Sequence, residues 1–553
     1  MSATRPWLNI YPSGVPANIN PDEYSSIIDF MTKKCQTYGK KSAFSLMGKE
    51  MSYKDVDKYS TQFGAYLQSR GLEAGDKIAL MMPNLLQYPI ALFGALKAGM
   101  IVVNTNPLYT PREMKHQFND SEVKAIVIAE NFAANLEKIL DETSIKVIIT
   151  TTIGEMLGIK GSMVDFAVKN VKRMVPKYEI ANTTTFKDAL KAGKSFDLQP
   201  AVTGPEDVII HQYTGGTTGV SKGAMLTNRN LIANLMQIRA FLNHTMDESK
   251  DNIVLCPLPL YHIFAFTCNC LAMMDAGALS VLVVNPRDLK TVIKEFERYK
   301  ITGMTGVNTL YNALANEKDF EGVDLSEFDF ASAGGTALQQ AVAEKWTNVT
   351  KSEIGEGYGM TEASPVITSS PKGLARVGYV GIPVPSTDIR IVNEQGEPQE
   401  IGETGEIQVK GPQVMKGYYK RPEATAETIT SEGWLNTGDI GVLNEDGYLK
   451  IVDRKKDMIL VSGFNVYPNE IEDIIANIPK VLEVAAIGVP CEKSGEKVKV
   501  FIVKNDKSLS EQEVIDHCRE NLTGYKVPKV VVFKDELPKS TVGKILRREL
   551  RDA

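Results

Sequence analysis

Apolar and polar positions along this chain switch repeatedly between the period of a strand and the period of a helix. Residues 77–82 form a short apolar run that fits a strand, and 125–128 and 147–150 repeat it. Residues 44–53 read as a strand pair around Gly48. Ser52 then heads a Ser-x-x-Asp pattern that caps a helix, whose buried stripe is Val56, Phe63 and Leu67. The most apolar stretch, 85–103, has the length of a membrane span, but Gln87, Pro89 and Lys97 interrupt it and Gly99 ends it. It predicts a buried helix followed by a strand at 100–103. Such alternation predicts an α/β protein whose mostly parallel sheets are covered on both faces.

Segment 153–178 carries Met163, Ala167, Val171 and Met174 at helical spacing, with Val164, Val168 and Val175 beside them. Lys169, Lys172, Arg173 and Lys177 gather on the other side. The commoner arrangement is a helix packed on the core with its basic face in water. The alternative is a helix lying on an anionic membrane surface. From 405 to 450 the texture changes to short strands and tight turns such as Asn444-Glu445-Asp446-Gly447, part of a β-rich subdomain of about 370–452. The charged run 453–457 between two apolar strands marks a boundary. Beyond it come a helix near 469–478, strands at 484–489 and 498–503, a helix near 511–522 and a basic helix from Lys544. The expected organisation is a large N-terminal domain of two doubly covered sheets plus the β-rich subdomain (1–452), then a small C-terminal α+β domain (453–553).

Composition narrows the class. With 553 residues, 43% hydrophobic and 24% charged, the chain can bury several cores and is not disordered. A net charge of −6 excludes a general nucleic-acid binder. Six cysteines without a CxxC pair suggest a reducing cytoplasm, and five histidines without ligand spacing argue against structural zinc. The opening residues lack an apolar core, so no secretory signal is expected. Nothing in the pattern sets the oligomeric state, and a homodimer is compatible with it.

The candidate chemistry centres on 213–224, YTGGTTGVSKGA: four glycines, three threonines, a serine and a lysine, with no acid. Freed backbone N–H groups, hydroxyls and one ammonium suit a polyphosphate, placed here between the strand 208–210 and a helix capped by Thr227 or Asn228. A plain loop has the same composition. The P-loop pattern fails, because Lys222 lies between Ser221 and Gly223. The stretch resembles the signature loop of the acyl-adenylate-forming (AMP-binding) enzymes, Tyr/Phe-Thr-Ser-Gly-Thr-Thr-Gly-x-Pro-Lys-Gly, departing from it at Gly215 and Ser221. The resemblance extends from about residue 20 to the end, with the motifs in family order. It implies that Thr214, Gly215, Gly216, Thr217, Thr218, Gly219 and Lys222 bind phosphates, with Thr217 also near Mg²⁺.

Joining a carboxylic acid to a thiol needs an activated acyl group, so an adenylating enzyme also needs metal, adenine, ribose and charge-neutralising contacts. The resemblance assigns them as follows. ASAGGTA at 331–337 contributes Gly334, Gly335 and Thr336 to the adenine site. EGYGMTE at 356–362 contributes Tyr358 and Gly359 to adenine, Thr361 to phosphate, and Glu362 to Mg²⁺. NTGDI at 436–440 contributes Asp439 to the ribose hydroxyls. DRKKDMILVSGFNVYP at 453–468 contributes Arg454, a hinge at 453–454 that makes the C-terminal domain mobile, and Ser462 with Gly463 for the pantetheine arm of coenzyme A. PKSTVGKILRR at 538–548 contributes Lys544 as the catalytic lysine. His262 in LPLYHIFAF would gate the boundary between nucleotide and acyl pockets, although a lone histidine among apolar residues is more often a core residue.

The same resemblance points to the acid. Where amino-acid-activating relatives carry an aspartate, this chain reads HIFAFT at 262–267, without one. Ile263, Phe264, Phe266, the helix 231–242 and Val307 would line an apolar pocket. The stretches MMPNLLQYPIALFG, NPLYTPRE and VPKYEI are similar to those of long-chain fatty acyl-CoA synthetases. The expected substrates are therefore a long-chain fatty acid, ATP and coenzyme A, with Mg²⁺ as cofactor and peripheral inner-membrane contact through 153–178. A medium-chain or aryl acid is the alternative, and a silent nucleotide-binding protein the reading from another class.

Overall fold

The apolar runs at 77–82, 125–128 and 147–150 fold as parallel neighbours. The computed structural model describes residues 5–214, 221–246, 249–491, 493–540 and 543–551. Lys77–Met81 pairs with Ile101–Asn104 on one side and Val123–Ala129 on the other, and Val147–Thr151 and Thr183–Thr185 follow outward. Val208–Thr214, then the antiparallel Lys222–Thr227 and Gly417–Tyr418, complete this eight-stranded sheet. A nine-stranded sheet runs from Ile382–Pro383 through Ile354–Gly359, Phe330–Ala333, Gly303–Gly306 and Ile253–Cys256 to the predicted strand pair Ser42–Leu46 and Lys49–Ser52. Its interior strands are parallel and both ends antiparallel.

The 85–103 stretch forms the helix Gln87–Lys97, whose every residue is buried, and the strand Ile101–Asn104. It survives burial because its polar side-chain donors find partners. Gln87 Nε2 donates to Thr151 Oγ1 and Thr152 O, both at 2.9 Å. The Lys97 ammonium donates to Asp57 Oδ1 at 2.6 Å, Asp57 O at 3.0 Å and Thr61 Oγ1 at 2.8 Å. These acceptors lie on the helix Tyr53–Ser69, which Ser52 and Asp55 start with a capping box, as predicted. The two helices touch at glycines: a Cβ on Gly94 would sit 2.7 Å from Ser60 O, and one on Gly64 would sit 2.7 Å from Gly94 O.

Four antiparallel strands, Asp388–Val392, Gly405–Lys410, Leu435–Leu443 and Leu449–Arg454, form the β-rich region around their own core with Trp7. The last unit is a five-stranded sheet in which Val481–Cys491 pairs with Gly495–Lys504. Its fifth strand, Val530–Lys534, has no counterpart among the predicted elements. The terminal basic helix starts at Arg547 rather than Lys544, which stays in the turn before it. Segment 153–178 is a helix, Ile159–Phe166, extended by a wider turn over Ala167–Val171. Val164 and Val168 pack partly buried on the core, whereas Met163, Val171 and Met174 of the expected stripe do not, so the arrangement packed on the core is met only in part. Ile159, Met163, Phe166, Val171 and Met174 remain exposed.

Because backbone faces backbone at Gly94, Gly94→Ala should destabilise the protein by about 1–3 kcal/mol through overpacking. A lower urea midpoint for the N-terminal region, with unchanged denaturant dependence, is the expected reading. An unchanged midpoint would contradict the packing argument.

Candidate active site

Three parallel strands of the nine-stranded sheet end at one edge, and the chain beyond each end faces a cleft of about 2210 Å³. The C-terminal edge of a parallel sheet is where ligands bind in open α/β folds. Val307 follows Gly303–Gly306, Gly334, Gly335 and Thr336 follow Phe330–Ala333, and Tyr358 to Glu362 close Ile354–Gly359. The opposite wall comes from the β-rich region and the chain's last hairpin.

The glycine-rich stretch joins two antiparallel strands rather than a strand and a helix. Thr214 pairs with Lys222, and the helix Asn228–Thr245 begins only after Lys222–Thr227, capped by Thr227. Gly215, Gly216, Thr217, Thr218 and Gly219 lie outside the described residues. Thr214 and Lys222 line the cleft. Tyr213 anchors the base of this hairpin by donating to Asp120 Oδ2 at 2.7 Å, whose other oxygen accepts from Arg421 Nη2 at 2.6 Å.

Glu362 is buried in the short turn Thr361–Ala363. Tyr418 Oη donates to its Oε1 at 2.6 Å, and Lys222 Nζ sits 4.8 Å from the Tyr418 ring centre. Burial raises the Glu362 carboxyl above the usual range, while Tyr418 and the charge of Lys222 pull it back. A carboxylate has four lone-pair sites, so one phenol leaves room for a cation. Tyr418 carried no motif signal of its own, because it acts through a contact 56 residues away.

Asp439 lies inside the strand Leu435–Leu443. The ladder jumps from Gln408↔Asn436 to Glu406↔Ile440, so residues 437–439 bulge, with Gly438 at φ +71. A bulge re-aims side chains, and this one turns Asp439 to the cleft. There its Oδ2 accepts from Tyr358 Oη at 2.6 Å and its Oδ1 lies 3.5 Å from Arg454 Nε. Arg454 and Asp453 are consecutive in one strand and so point to opposite faces. Asp453 is buried 3.5 Å from Arg547 Nη1 and accepts from Asn469 N at 2.9 Å.

Lys544 enters the same cleft from the last hairpin. Burial, and next the Arg454 guanidinium, push its ammonium from 10.5 down to about 7. His262 caps the turn Ile263–Ala265 by accepting from Phe264 N, and burial with the charge of Lys544 lowers it to about 4. It is therefore a neutral wall, not a cation. Gly359 is forced by close approach, since a Cβ there would lie 2.1 Å from Pro365 O. Thr336 Oγ1 is buried without a hydrogen-bond partner among the described residues, which leaves it available to a ligand.

Phe264, Val307, Ile263 and, from the helix Asn228–Thr245, Ile238, Phe241 and Leu242 line an apolar arm of the cleft. Leu231, Leu235 and Phe266 are fully buried and do not line it, because helical periodicity turns them toward the core. Ser462 and Gly463, at φ +51 and +85, form the two-residue turn between Ile459–Val461 and Phe464–Val466. They are exposed and do not line the cleft.

The family model for AMP-binding enzymes matches residues 31–419, and the model for the C-terminal domain of AMP-binding enzymes matches 470–544. A long-chain-fatty-acid–CoA ligase of Yersinia pestis is 53% identical, over 99% of this chain and 97% of that protein. One of Escherichia coli O6:H1 is 52% identical, over 99% and 98%. The solved anthranilate CoA ligase AuaEII, in complex with anthranoyl-AMP, superposes with a TM-score of 0.86 at 25% identity, covering 97% of this chain and 98% of that one.

The depressed Lys544 gives a pH test. The penalty for holding this cation in the cleft is absent above about 10.5, grows as pH falls, and is complete below about 7. An anionic phosphate beside it raises its pKa again. ATP binding at pH 8 should therefore take up as much as about one proton, read by calorimetry in buffers of different ionisation enthalpy. Lys544→Met should remove that uptake; wild-type binding without uptake would refute the placement.

Proposed function

Because the chain belongs to the AMP-binding enzyme family, we propose that it activates a long-chain fatty acid with ATP and passes the acyl group to coenzyme A. The observation that carries this is the convergence of Lys222, Glu362, Asp439, Arg454 and Lys544 on one cleft with an apolar arm. The two relatives named as long-chain-fatty-acid–CoA ligases match nearly the whole chain at 52–53% identity.

In the first step the fatty carboxylate attacks the α-phosphorus of ATP; the new bond is the mixed anhydride of acyl-AMP, and pyrophosphate leaves. Lys544 would hold the carboxylate and α-phosphate oxygens as charge gathers between them. Lys222 and the hydroxyls near it would hold the departing phosphates. Asp439, aligned by Tyr358 and Arg454, would accept both ribose hydroxyls. Mg²⁺ usually binds through one or two carboxylates plus substrate phosphates, and the buried Glu362 fits that need without a ready-made cage. Bound there, Mg²⁺ would neutralise phosphate charge. In the second step the thiol of coenzyme A attacks the acyl carbonyl and AMP leaves. Ser462 and Gly463 stand outside the cleft, so they reach it only if the unit beyond 453–454 turns.

The described side chains of the apolar arm are uncharged and offer no partner to an amino substituent, and an alkyl chain fits them. A panel of palmitate, octanoate, benzoate and coumarate, with coenzyme A consumption as readout, should give a kcat/KM for palmitate at least about tenfold above the others. A maximum at octanoate or an aryl acid would sink the long-chain assignment.

Among the described residues no helix is long and apolar enough to cross a membrane. A lipid surface would be met instead by Ile159, 96% exposed, and Met163, 73% exposed, with Phe166, Val171, Met174 and the cations Lys169, Lys172 and Arg173 around them. Apolar side chains in water beside basic ones are the signature of an interfacial helix. Met163→Glu with Phe166→Glu should weaken sedimentation with phosphatidylglycerol vesicles by about tenfold. Unchanged sedimentation would dismiss membrane docking through this helix.

A further inference from the structure

The described ends of the hairpin that carries Lys544 are tied to each other. Ser540 N donates to Lys544 O at 2.7 Å, Gly543 N to Ser540 O at 3.0 Å, and Lys544 N to Ser540 Oγ at 3.1 Å. Whatever grips this turn therefore sets the position of the Lys544 ammonium. The N-terminal region grips this turn and the strand Val481–Cys491 beside it from one helix, Asn308–Ala315. Thr309 Oγ1 donates to Gly543 O at 3.1 Å, and Asn312 Nδ2 donates to Leu482 O at 3.0 Å. Residues three apart share a helix face, so the two donors make one docking edge. Arg287 Nη2 adds a third contact to Ser540 O at 3.2 Å.

The fit is close. Gly543 has φ +77, and a Cβ there would lie 2.8 Å from Thr309 Oγ1 and 3.1 Å from Val307 Cγ2, so glycine lets the turn seat against the helix start. The amide of Asn312 is oriented by Asn316, whose Nδ2 donates to Asn312 Oδ1 at 2.9 Å and leaves the Asn312 donors aimed outward. Lys345 in turn holds Asn316 Oδ1. Thr309 and Asn312 are uncharged and donate to backbone carbonyls, so they act on the reaction through where they place the hairpin.

We infer that Thr309 and Asn312 are positioning residues, a latch that holds the C-terminal unit with Lys544 in the cleft during acyl-AMP formation and must open before thioester formation. The inference rests on the proposed division of labour, in which Lys544 serves the first half-reaction and is withdrawn for the second. Breaking the latch should then slow one half-reaction and not the other, which a general loss of structure would not do.

The test uses the full-length Thr309→Val/Asn312→Ala double variant. Single-turnover acyl-AMP formation from palmitate and ATP should slow about tenfold, as two modest hydrogen bonds would allow. Thioester formation from supplied palmitoyl-AMP and coenzyme A should be unchanged or faster. The companion Thr309→Ser/Asn312→Ala variant, which keeps the hydroxyl, should retain part of the rate that the first variant loses. Equal slowing of both half-reactions, or no slowing of the first, would overturn the latch. Lys544→Ala run in parallel separates the two ideas. If it slows both half-reactions alike, the division of labour fails; if it slows only the first while the Thr309→Val/Asn312→Ala variant matches wild type, the latch alone fails.

Discussion

Arg547 is the pin on which the site's second wall turns. Its guanidinium is partly buried and meets Glu472 at 2.8 and 2.9 Å, Asn469 at 2.7 Å, Asp453 at 3.5 Å and Asp457 at 3.6 Å. Those partners come from the last strand of the β-rich region, the charged run after it and the helix Pro468–Ala476, so one side chain joins all three to the chain's end. Three residues before it stands Lys544. Removing a partner from a buried ionic cluster is costly, because it leaves an uncompensated charge in low dielectric. That cost keeps the terminal hairpin registered on the strand Leu449–Arg454; burial works against the Arg547 charge, but Glu472 and Asp453 outweigh it and raise Arg547 above its ordinary pKa.

The cleft has the opposite character. Where Arg547 is over-supplied with acids, Lys544 sits beside Arg454 and a half-buried neutral His262, with Asp439 shared between Tyr358 and Arg454. The surroundings therefore hold positive charge at a loss. A polyphosphate or carboxylate entering the cleft relieves that loss, so substrate binding and retention of the hairpin reinforce each other. Once pyrophosphate has gone, part of the relief goes with it. In the proposed cycle the same electrostatics would favour retention of the hairpin before adenylation and weaken it afterwards.

Much of this was legible in the residues. Capping patterns and apolar periods located the strand pair, the buried helix at 87–97 and most of the terminal unit, because those signals are local. The motif residues Glu362, Asp439, Arg454 and Lys544 do share one cleft, as the resemblance implied. Misses came where the decisive partner is distant. The bulge that turns Asp439 is written in its neighbour strand's register, not in the Asn-Thr-Gly-Asp run. Phe266 reads like a pocket residue from its neighbours, yet the wide helical turn over Phe266–Ala272 buries it. Tyr418, Thr309 and Asn312 have no motif around them, since each matters only through a group scores of residues away.

By itself, then, the sequence determined the α/β class, the alternation of elements, the family resemblance and the chemical inventory of the site. Those follow from local propensity, from side-chain period and from which functional groups the chain contains. The tertiary structure alone decided which groups meet and in what state of charge. It made the glycine-rich stretch a link between antiparallel strands, brought Lys544 into the cleft, and left Ser462 and Gly463 outside it. The reason is physical: a hydrogen bond or a shifted pKa depends on distance and burial, and residues far apart in sequence acquire both only when the chain has packed.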